Sequence, residues 1–324
     1  MRLFALHGSH VLGKSVADAM GVELSTLEER EFGDGEHKSR PLISVRNEDV
    51  YVLHSLNGND VQSAADRLVR LLFFIAACRD NGAARVTAVT PYLAFMRKDQ
   101  QTKPRDPVSS RYVAELLEAV GTDAVVVVQV HNPAAFQNAF RCRNVLLDTQ
   151  HLFTAKVAEL AERRAVFLSP DSGGMKRAHL LRETFIAETG REAGLAIMEK
   201  HRSEGVVSGD LFAGDVAGAD VFVVDDMIAS GGTMVRAAKA ARARGAARVY
   251  ALAAHGLFSA AAQELFSCPE IDRVIVTDTI APLPPPSLET AGKLEIVSCA
   301  PLIGEAVQRL HAGGSIHRLL NPRP

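Results

Sequence analysis

The feature that most limits how this chain can fold is a regular alternation of short β-branched runs with longer amphipathic stretches. The apolar runs are RLFALHG, DVYVLHS, RVTAVTPYL, AVVVVQVH, AVFLSPD, AGLAIMEK, VFVVDD, RVYALAAHG, RVIVTD and LEIVSCA. Between them, stretches such as VQSAADRLVRLLFFIAACRDNG and SSRYVAELLEAVG repeat apolar residues at i, i+3, i+4 and i+7, the spacing of one helix face. Strands that alternate with helices make mainly parallel sheets, because each helix carries the chain back to the same edge. A run as uniformly apolar as AVVVVQV fits a strand covered on both faces. The rhythm runs twice, which predicts an α/β protein with one such domain over 1–150 and another over 151–300. The tail EAVQRLHAGG reads as a C-terminal helix, and APLPPPSLETAGK as a surface loop before the last strand.

A chain of 324 residues is long enough for two such domains. The formal net charge of −2 removes the electrostatic basis for nucleic-acid or anionic-membrane partners. No run approaches the ~20 apolar residues of a membrane helix, and the apolar start of MRLFALHGSHVLGKS is too short for a secretory signal. A cytoplasmic location is the expectation. Cys78, Cys142, Cys268 and Cys299 are scattered without CxxC spacing and read as reduced packing thiols.

In open α/β sheets, ligands gather beyond the carboxyl ends of strands, so the strand-to-helix junctions are where chemistry belongs. The first unusual junction is VVDDMIASGGTM. Small residues at Ala229, Ser230, Gly231, Gly232 and Thr233 let successive backbone N–H groups converge at a helix start, an anion cradle suited to phosphate. The Ser230 and Thr233 hydroxyls can donate to the same group. Asp225 and Asp226, at the strand end, suit vicinal sugar hydroxyls or a metal bridge. The second junction, FLSPDSGGMKRA, ends a strand at Asp171 and opens a helix with Gly173 and Gly174, with Lys176 and Arg177 close by to neutralise charge. Taken alone it reads equally as an ordinary Gly-rich turn. The third, VVVQVHNP, puts His131 at a strand end in the first half; such a histidine is structural unless Asp171 shares a Mg²⁺ with it.

With these motifs in this order, the chain resembles the ribose-phosphate pyrophosphokinase (phosphoribosyl pyrophosphate synthetase) family over nearly its whole length. VVDDMIASGGT resembles that family's ribose-5-phosphate loop and SPDSGGMKRA its pyrophosphate-side loop. EFGDGE and RKDQQTKPRDPVS resemble its ATP-site segments, and AIMEKHR the stem of its catalytic flexible loop. VTDTIAPLP and APLIGEAVQRLHAGGSI match as well. The resemblance implies two tandem phosphoribosyltransferase-like domains, with a C-terminal helix at 301–318 packing back on the first. It also implies transfer of the β,γ-diphosphoryl group of Mg-ATP to the anomeric hydroxyl of ribose 5-phosphate. By resemblance, Asp225 and Asp226 hold the ribose hydroxyls, and Ala229, Ser230, Gly231, Gly232 and Thr233 hold the 5-phosphate. Asp171, Gly173, Gly174 and Arg177 form the pyrophosphate-side loop, while His131 and Asp171 fall on Mg²⁺-associated positions. Phe32, Asp34 and Glu36 contact adenine, supplied in the family by a neighbouring subunit; Arg97 and Asp99 match the ATP-contacting segment. Lys200 and Arg202 match the basic pair that neutralises the transferring phosphates, on a stretch, KHRSEGVVSGDLFAGDVAGAD, with the Gly and Ser content of a lid. A homo-oligomer, dimer up to hexamer, follows from the shared ATP site.

The chain departs from the family pattern at identifiable places. Ala229 stands where the commonest form of the ribose loop has Asp, and Gln129-Val130 precede His131 where Asp-Leu is usual. Lys98, Gln100 and Gln101 replace Gln, Arg and Lys near Arg97. Other readings are a phosphoribosyltransferase or phosphorylase using the same sugar-phosphate loop, and a non-catalytic synthetase-like regulatory subunit. The ATP-site segments oppose the first. Lys200, Arg202, His131 and Asp171 oppose the second, while Ala229 and Gln129 leave it open.

Overall fold

A computed structural model of the chain describes residues 1–203, 206–281 and 292–320. The proline-rich stretch at 282–291 lies outside the described residues, as do the side chains at 200–210. The chain divides into two compact units. The first holds Met1–Asp148 with Thr279–Ala281 and residues 299–320, and the second holds Thr149–Asp278 with residues 292–298.

The first unit is built on a five-stranded sheet in the order β1-β4-β5-β6-β7, from Arg2–Ala5 (β1), Asp49–Leu53 (β4), Arg85–Thr90 (β5), Ala124–Val128 (β6) and Arg143–Leu147 (β7). All neighbours are parallel. Every residue of β6 is buried, as its all-apolar run requires of a strand covered on both faces. A separate antiparallel hairpin pairs Leu27–Glu31 (β2) with His37–Pro41 (β3). Helices α1 (His10–Met20), α2 (Ala64–Asp80), α3 (Ser109–Ala119) and α4 (Pro133–Ala139) fill the connections. α2 starts with a reciprocal cap: Ser63 Oγ accepts the Asp66 N–H at 3.1 Å, and Asp66 Oδ2 accepts the Ser63 N–H at 2.8 Å. Ser63→Ala is therefore expected to cost about 1 kcal/mol, read as a lower denaturant midpoint with an unchanged m-value.

The second unit is a seven-stranded sheet in the order β10-β9-β8-β11-β12-β13-β14. Its strands are Ala165–Ser169 (β8), Ala193–Ser203 (β9), Val206–Ala213 (β10), Asp220–Ile228 (β11), Arg248–Gly256 (β12), Arg273–Thr277 (β13) and Leu294–Val297 (β14). Only the β9/β10 pair is antiparallel. Alternate side chains along each strand feed two cores, as the two-residue repeat of a strand dictates. Val166, Leu168, Val221, Val223, Val249 and Ala251 pack with Met234, Ala237, Ala238 and Ala241 of α7 (Gly232–Ala243). On the other face, Phe167, Phe222 and Tyr250 stack in a row, with centroids 5.9 and 4.8 Å apart. They meet Phe153 and Val157 of α5 (Gln150–Leu160) and Leu181 and Phe185 of α6 (Met175–Thr189).

Asp220 anchors the amino end of β11. It is fully buried, accepts the Glu162 and Arg163 N–H groups at 3.0 Å, and takes both Nε and Nη2 of Arg248 at 2.9 and 2.8 Å. Burial pushes its carboxyl up, but the Arg248 and amide bonds outweigh that and hold it below the ordinary value. A two-pronged Arg–carboxylate bond fixes direction as well as distance. The strand that ends in Asp225 and Asp226 is thus clamped at its start. The short helix α8 (Gln263–Ser267) follows β12, and the last long helix, α9 (Ala300–His311), belongs to the first unit. Gly304 lets α9 approach α1 closely, since a Cβ there would lie 3.1 Å from Met20 Cγ, and Gln308 donates to the Met20 carbonyl at 2.8 Å.

Candidate active site

β8 and β11 are parallel neighbours, with Val223 opposite Leu168, so the loops that leave them emerge side by side at one sheet edge. In the loop after β8, Asp171 Oδ1 accepts the Gly174 N–H at 2.8 Å, and Ser169 Oγ donates to the Asp171 carbonyl at 2.7 Å. Gly174 is the N-cap of α6 and has no room for a side chain, because a Cβ would lie 2.8 Å from Ser169 Oγ. No side chain caps this helix, and apart from the Met175 N–H, which donates to the Ser172 carbonyl at 3.5 Å, its first-turn N–H groups are donors available to a ligand anion. Asp171 and Gly173 are exposed around it.

Arg177, in the first turn of α6, reaches the acids of β11. Its Nη1 donates to Asp225 Oδ1 at 3.1 Å, and its Nη2 lies 3.4 Å from Asp226 Oδ1. Asp226 is 4 % exposed at its side chain and Asp225 21 %. Burial and the neighbouring Asp226 carboxylate push Asp225 up to about 7, against the pull of Arg177. The buried Nε of Arg177 has no partner and is a further donor beside the cradle. Sequence spacing placed Arg177 near a phosphate; that one guanidinium spans both acids is visible only in three dimensions.

The loop after β11 meets the start of α7. Gly231 takes φ +78°, the left-handed region open to glycine, and a Cβ there would sit 2.7 Å from Leu265 Cβ. Gly232 opens α7 without a side-chain cap, with Ser230 exposed and Thr233 half-buried beside it. Ala229 contributes its backbone: its carbonyl accepts the Ser259 N–H at 3.0 Å and the Ser259 hydroxyl at 3.3 Å. The loop's path therefore does not depend on a carboxylate at 229.

In the first unit, Phe32, Asp34 and Glu36 share the tip of the β2/β3 hairpin. The tip is closed by Phe32 N–H to the Glu36 carbonyl at 2.8 Å and Glu36 N–H to Asp34 Oδ1 at 3.1 Å. The Phe32 ring is 40 % exposed, with the Arg30 guanidinium 5.2 Å from its centroid. Arg97 and Asp99 lie in the loop after β5, and among the described residues no hydrogen bond or ion pair joins them to the hairpin tip. That loop is held by Asp106, whose carboxylate takes Lys98 Nζ at 2.5 Å and the Thr102 hydroxyl at 2.8 Å. Lys98 and Thr102 bring Asp106 down to about 2. Gln101 donates to the Asp106 carbonyl at 2.8 Å. Two of the residues that depart from the family pattern, Lys98 and Gln101, are thus occupied inside the loop. Asp106, absent from the sequence-based site, is their shared partner. His131 follows β6, exposed, after Gln129 in the left-handed region at φ +47°.

Lys200 and Arg202 lie on β9, paired with Asp210 and Val207 of β10; their side chains lie outside the described residues. The stretch expected as a lid is therefore, over its described part, an antiparallel ribbon. Among the described residues, no cluster of three or more His, Cys, Asp or Glu could hold a metal.

Two helix starts without a side-chain cap, at adjacent strand ends and beside a carboxylate pair spanned by one guanidinium, make this an α/β protein with anion-ready loops at the carboxyl ends of its strands. The family model for the N-terminal domain of ribose phosphate pyrophosphokinase matches residues 1–121, and that for the phosphoribosyl synthetase-associated domain matches residues 208–321. The chain is 35 % identical over 326 residues to the ribose-phosphate pyrophosphokinase of Aquifex aeolicus, covering 98 % of each. It is 34 % identical to that of Caldanaerobacter subterraneus, covering 98 % of this chain and 97 % of the relative. The crystal structure of phosphoribosylpyrophosphate synthetase from Mycobacterium smegmatis superposes with a TM-score of 0.85 at 31 % identity, over 97 % of this chain and 99 % of that one. The chain belongs to the ribose-phosphate pyrophosphokinase family.

Proposed function

We propose that the protein is a ribose-phosphate diphosphokinase, an enzyme that moves the β,γ-diphosphoryl group of Mg-ATP onto the C1 hydroxyl of ribose 5-phosphate, giving phosphoribosyl pyrophosphate and AMP for nucleotide biosynthesis. The observation that carries this reading is the guanidinium of Arg177 spanning Asp225 and Asp226 between two uncapped helix starts. One cradle, residues 229–233, takes the 5-phosphate on backbone N–H groups and the Ser230 and Thr233 hydroxyls. The two carboxylates accept the ribose hydroxyls. The other cradle, at Asp171, Gly173, Gly174 and Arg177, takes the transferred diphosphoryl group.

Diphosphoryl transfer asks for alignment and charge neutralisation rather than a covalent intermediate on the protein. Lys200 and Arg202 supply the neutralising charge. Arg97 and Asp99 orient the nucleotide. The exposed Phe32 ring, with Asp34 and Glu36, offers a stacking face for adenine. In this proposal the tip serves a neighbouring subunit, which makes the protein a homo-oligomer.

The residues present fit Mg²⁺: the carboxylate of Asp171 keeps Oδ2 outside its bond to Gly174, and a cation held by one or two protein groups plus substrate phosphates is the usual Mg²⁺ arrangement. By the family resemblance alone, His131 falls on the other Mg²⁺-associated position. Bound Mg²⁺ withdraws charge from the phosphate oxygens. No helix among the described residues is long and apolar enough to cross a membrane, and we place the enzyme in the cytoplasm.

The test is purified protein with Mg-ATP and ribose 5-phosphate, following AMP. Turnover in the ordinary range of roughly 1–10³ s⁻¹ supports the proposal. ATP binding without AMP formation would overturn it in favour of a non-catalytic regulatory subunit.

A further inference from the structure

Asn132 lies between β6 and α4, next to His131, and both ends of its side-chain amide are engaged. The oxygen accepts the Ala134 and Ala135 N–H groups at 3.1 and 3.2 Å, capping α4. The nitrogen donates to Asp99 Oδ2 at 2.6 Å. The cap fixes which way the amide faces, because only the oxygen can accept from the helix N–H groups. The donor end therefore has to point at Asp99. The neighbouring Lys98–Asp106 clamp holds residues on either side of Asp99 but makes no bond to its carboxylate. We infer that Asn132 is the positioning residue for Asp99. It uses the start of α4 as a rigid mount, so that the second carboxylate oxygen, Oδ1, is presented to the nucleotide. This inference rests on the proposed ATP-contacting role of Asp99.

A merely structural Asn132 and a positioning one predict different results. Ser and Asp cap helices about as well as Asn, so Asn132→Ser and Asn132→Asp keep the cap while losing the donor. Both should melt close to the wild type. Losing a hydrogen bond to a charged group should weaken Mg-ATP binding by about tenfold in N132S. N132D should lose more, since it sets a second carboxylate against Asp99. The KM for ribose 5-phosphate should stay within about twofold of the wild type.

The decisive measurement is a double-mutant cycle with Asp99→Ala, titrating Mg-ATP by calorimetry. In the D99A background, N132S should cause no further loss, because residues acting through one bond are not additive. Wild-type affinity in N132S, or a full additional loss in the D99A background, overturns the inference; the second result would mean that Asn132 acts through His131 or the helix instead. A wild-type protein that binds no Mg-ATP would sink the functional reading and this inference with it. Wild-type binding that N132S leaves untouched sinks the inference alone.

Discussion

Lys200→Ala is expected to lower AMP formation by on the order of 10³-fold, the scale set by removing a cation that meets the transferring phosphates. Ribose 5-phosphate binding should change by less than about twofold. The selectivity follows from where the chain puts the residue. Ser169, the last residue of β8, is paired with Ile197, so β9 runs on past the edge at which the cradle loop after β8 begins. The continuation is the ribbon with β10, and Lys200 and Arg202 are alternate positions on it. The proposed ribose cradle instead lies between β11 and α7, which the substitution leaves intact. An interaction strongest in the transition state appears in kcat, not in ground-state sugar affinity. Single-turnover AMP formation with calorimetric ribose 5-phosphate binding checks both halves. Unchanged turnover would refute the role, and a parallel loss of sugar binding would move Lys200 to the ribose site.

The parallel strands were readable in the sequence because burial on both faces leaves no alternative to continuous apolar runs. RLFALHG, AVVVVQVH and VFVVDD became β1, β6 and β11, and VQSAADRLVRLLFFIAACRDNG became α2. The strands without a legible apolar signal have a common cause. LEERE and HKSRP, β2 and β3, have no fully buried residue, and the half-buried face of β3 is polar, with His37 stacked on Phe73 of α2 at 5.5 Å. They pair through their backbones, with Arg40 and Lys38 reaching Glu28 across the hairpin, and polar pairing leaves no apolar period to detect. RNVLL, β7, is a short edge strand with a half-exposed pattern, and β10 is a ribbon partner within a polar stretch. The tight turns at the two loops proposed as cradles are legible because Gly174 and Gly231 stand where a Cβ cannot fit. The links between loops are not. Arg177 to Asp226 spans forty-nine residues of chain by position (226 − 177 = 49), and Asn132 to Asp99 spans 33. Asn-Pro before α4 does signal a helix cap, yet nothing in the sequence says where the free end of that amide points.

Asp226→Ala should weaken ribose 5-phosphate binding by roughly 10- to 100-fold, the loss of a hydrogen bond to a charged acceptor at about 1.5–3 kcal/mol, and it should also change the pH dependence of what binding remains. In the wild type, burial and Asp226 raise Asp225 to about 7. The ionised form is the stronger acceptor for a ribose hydroxyl, so sugar affinity should climb as pH rises through about 7 and level off above it. A carboxyl raised in the folded state also subtracts stability as pH rises, starting above its ordinary value of ~3.9 and complete once Asp225 has ionised. Removing Asp226 deletes the like charge and leaves Arg177 paired with Asp225 alone, so Asp225 should fall and the climb near neutrality should flatten. The 5-phosphate itself titrates near ~6, but it does so identically in both proteins. The ratio of the two affinity profiles therefore isolates the Asp225–Asp226 pair. Inorganic phosphate binding at residues 229–233 should be unaffected, since that loop is set by Gly231 and the Ser259 bonds to Ala229. A variant that binds weakly with the wild-type pH profile would show that Asp226 shapes the site without sharing charge with Asp225.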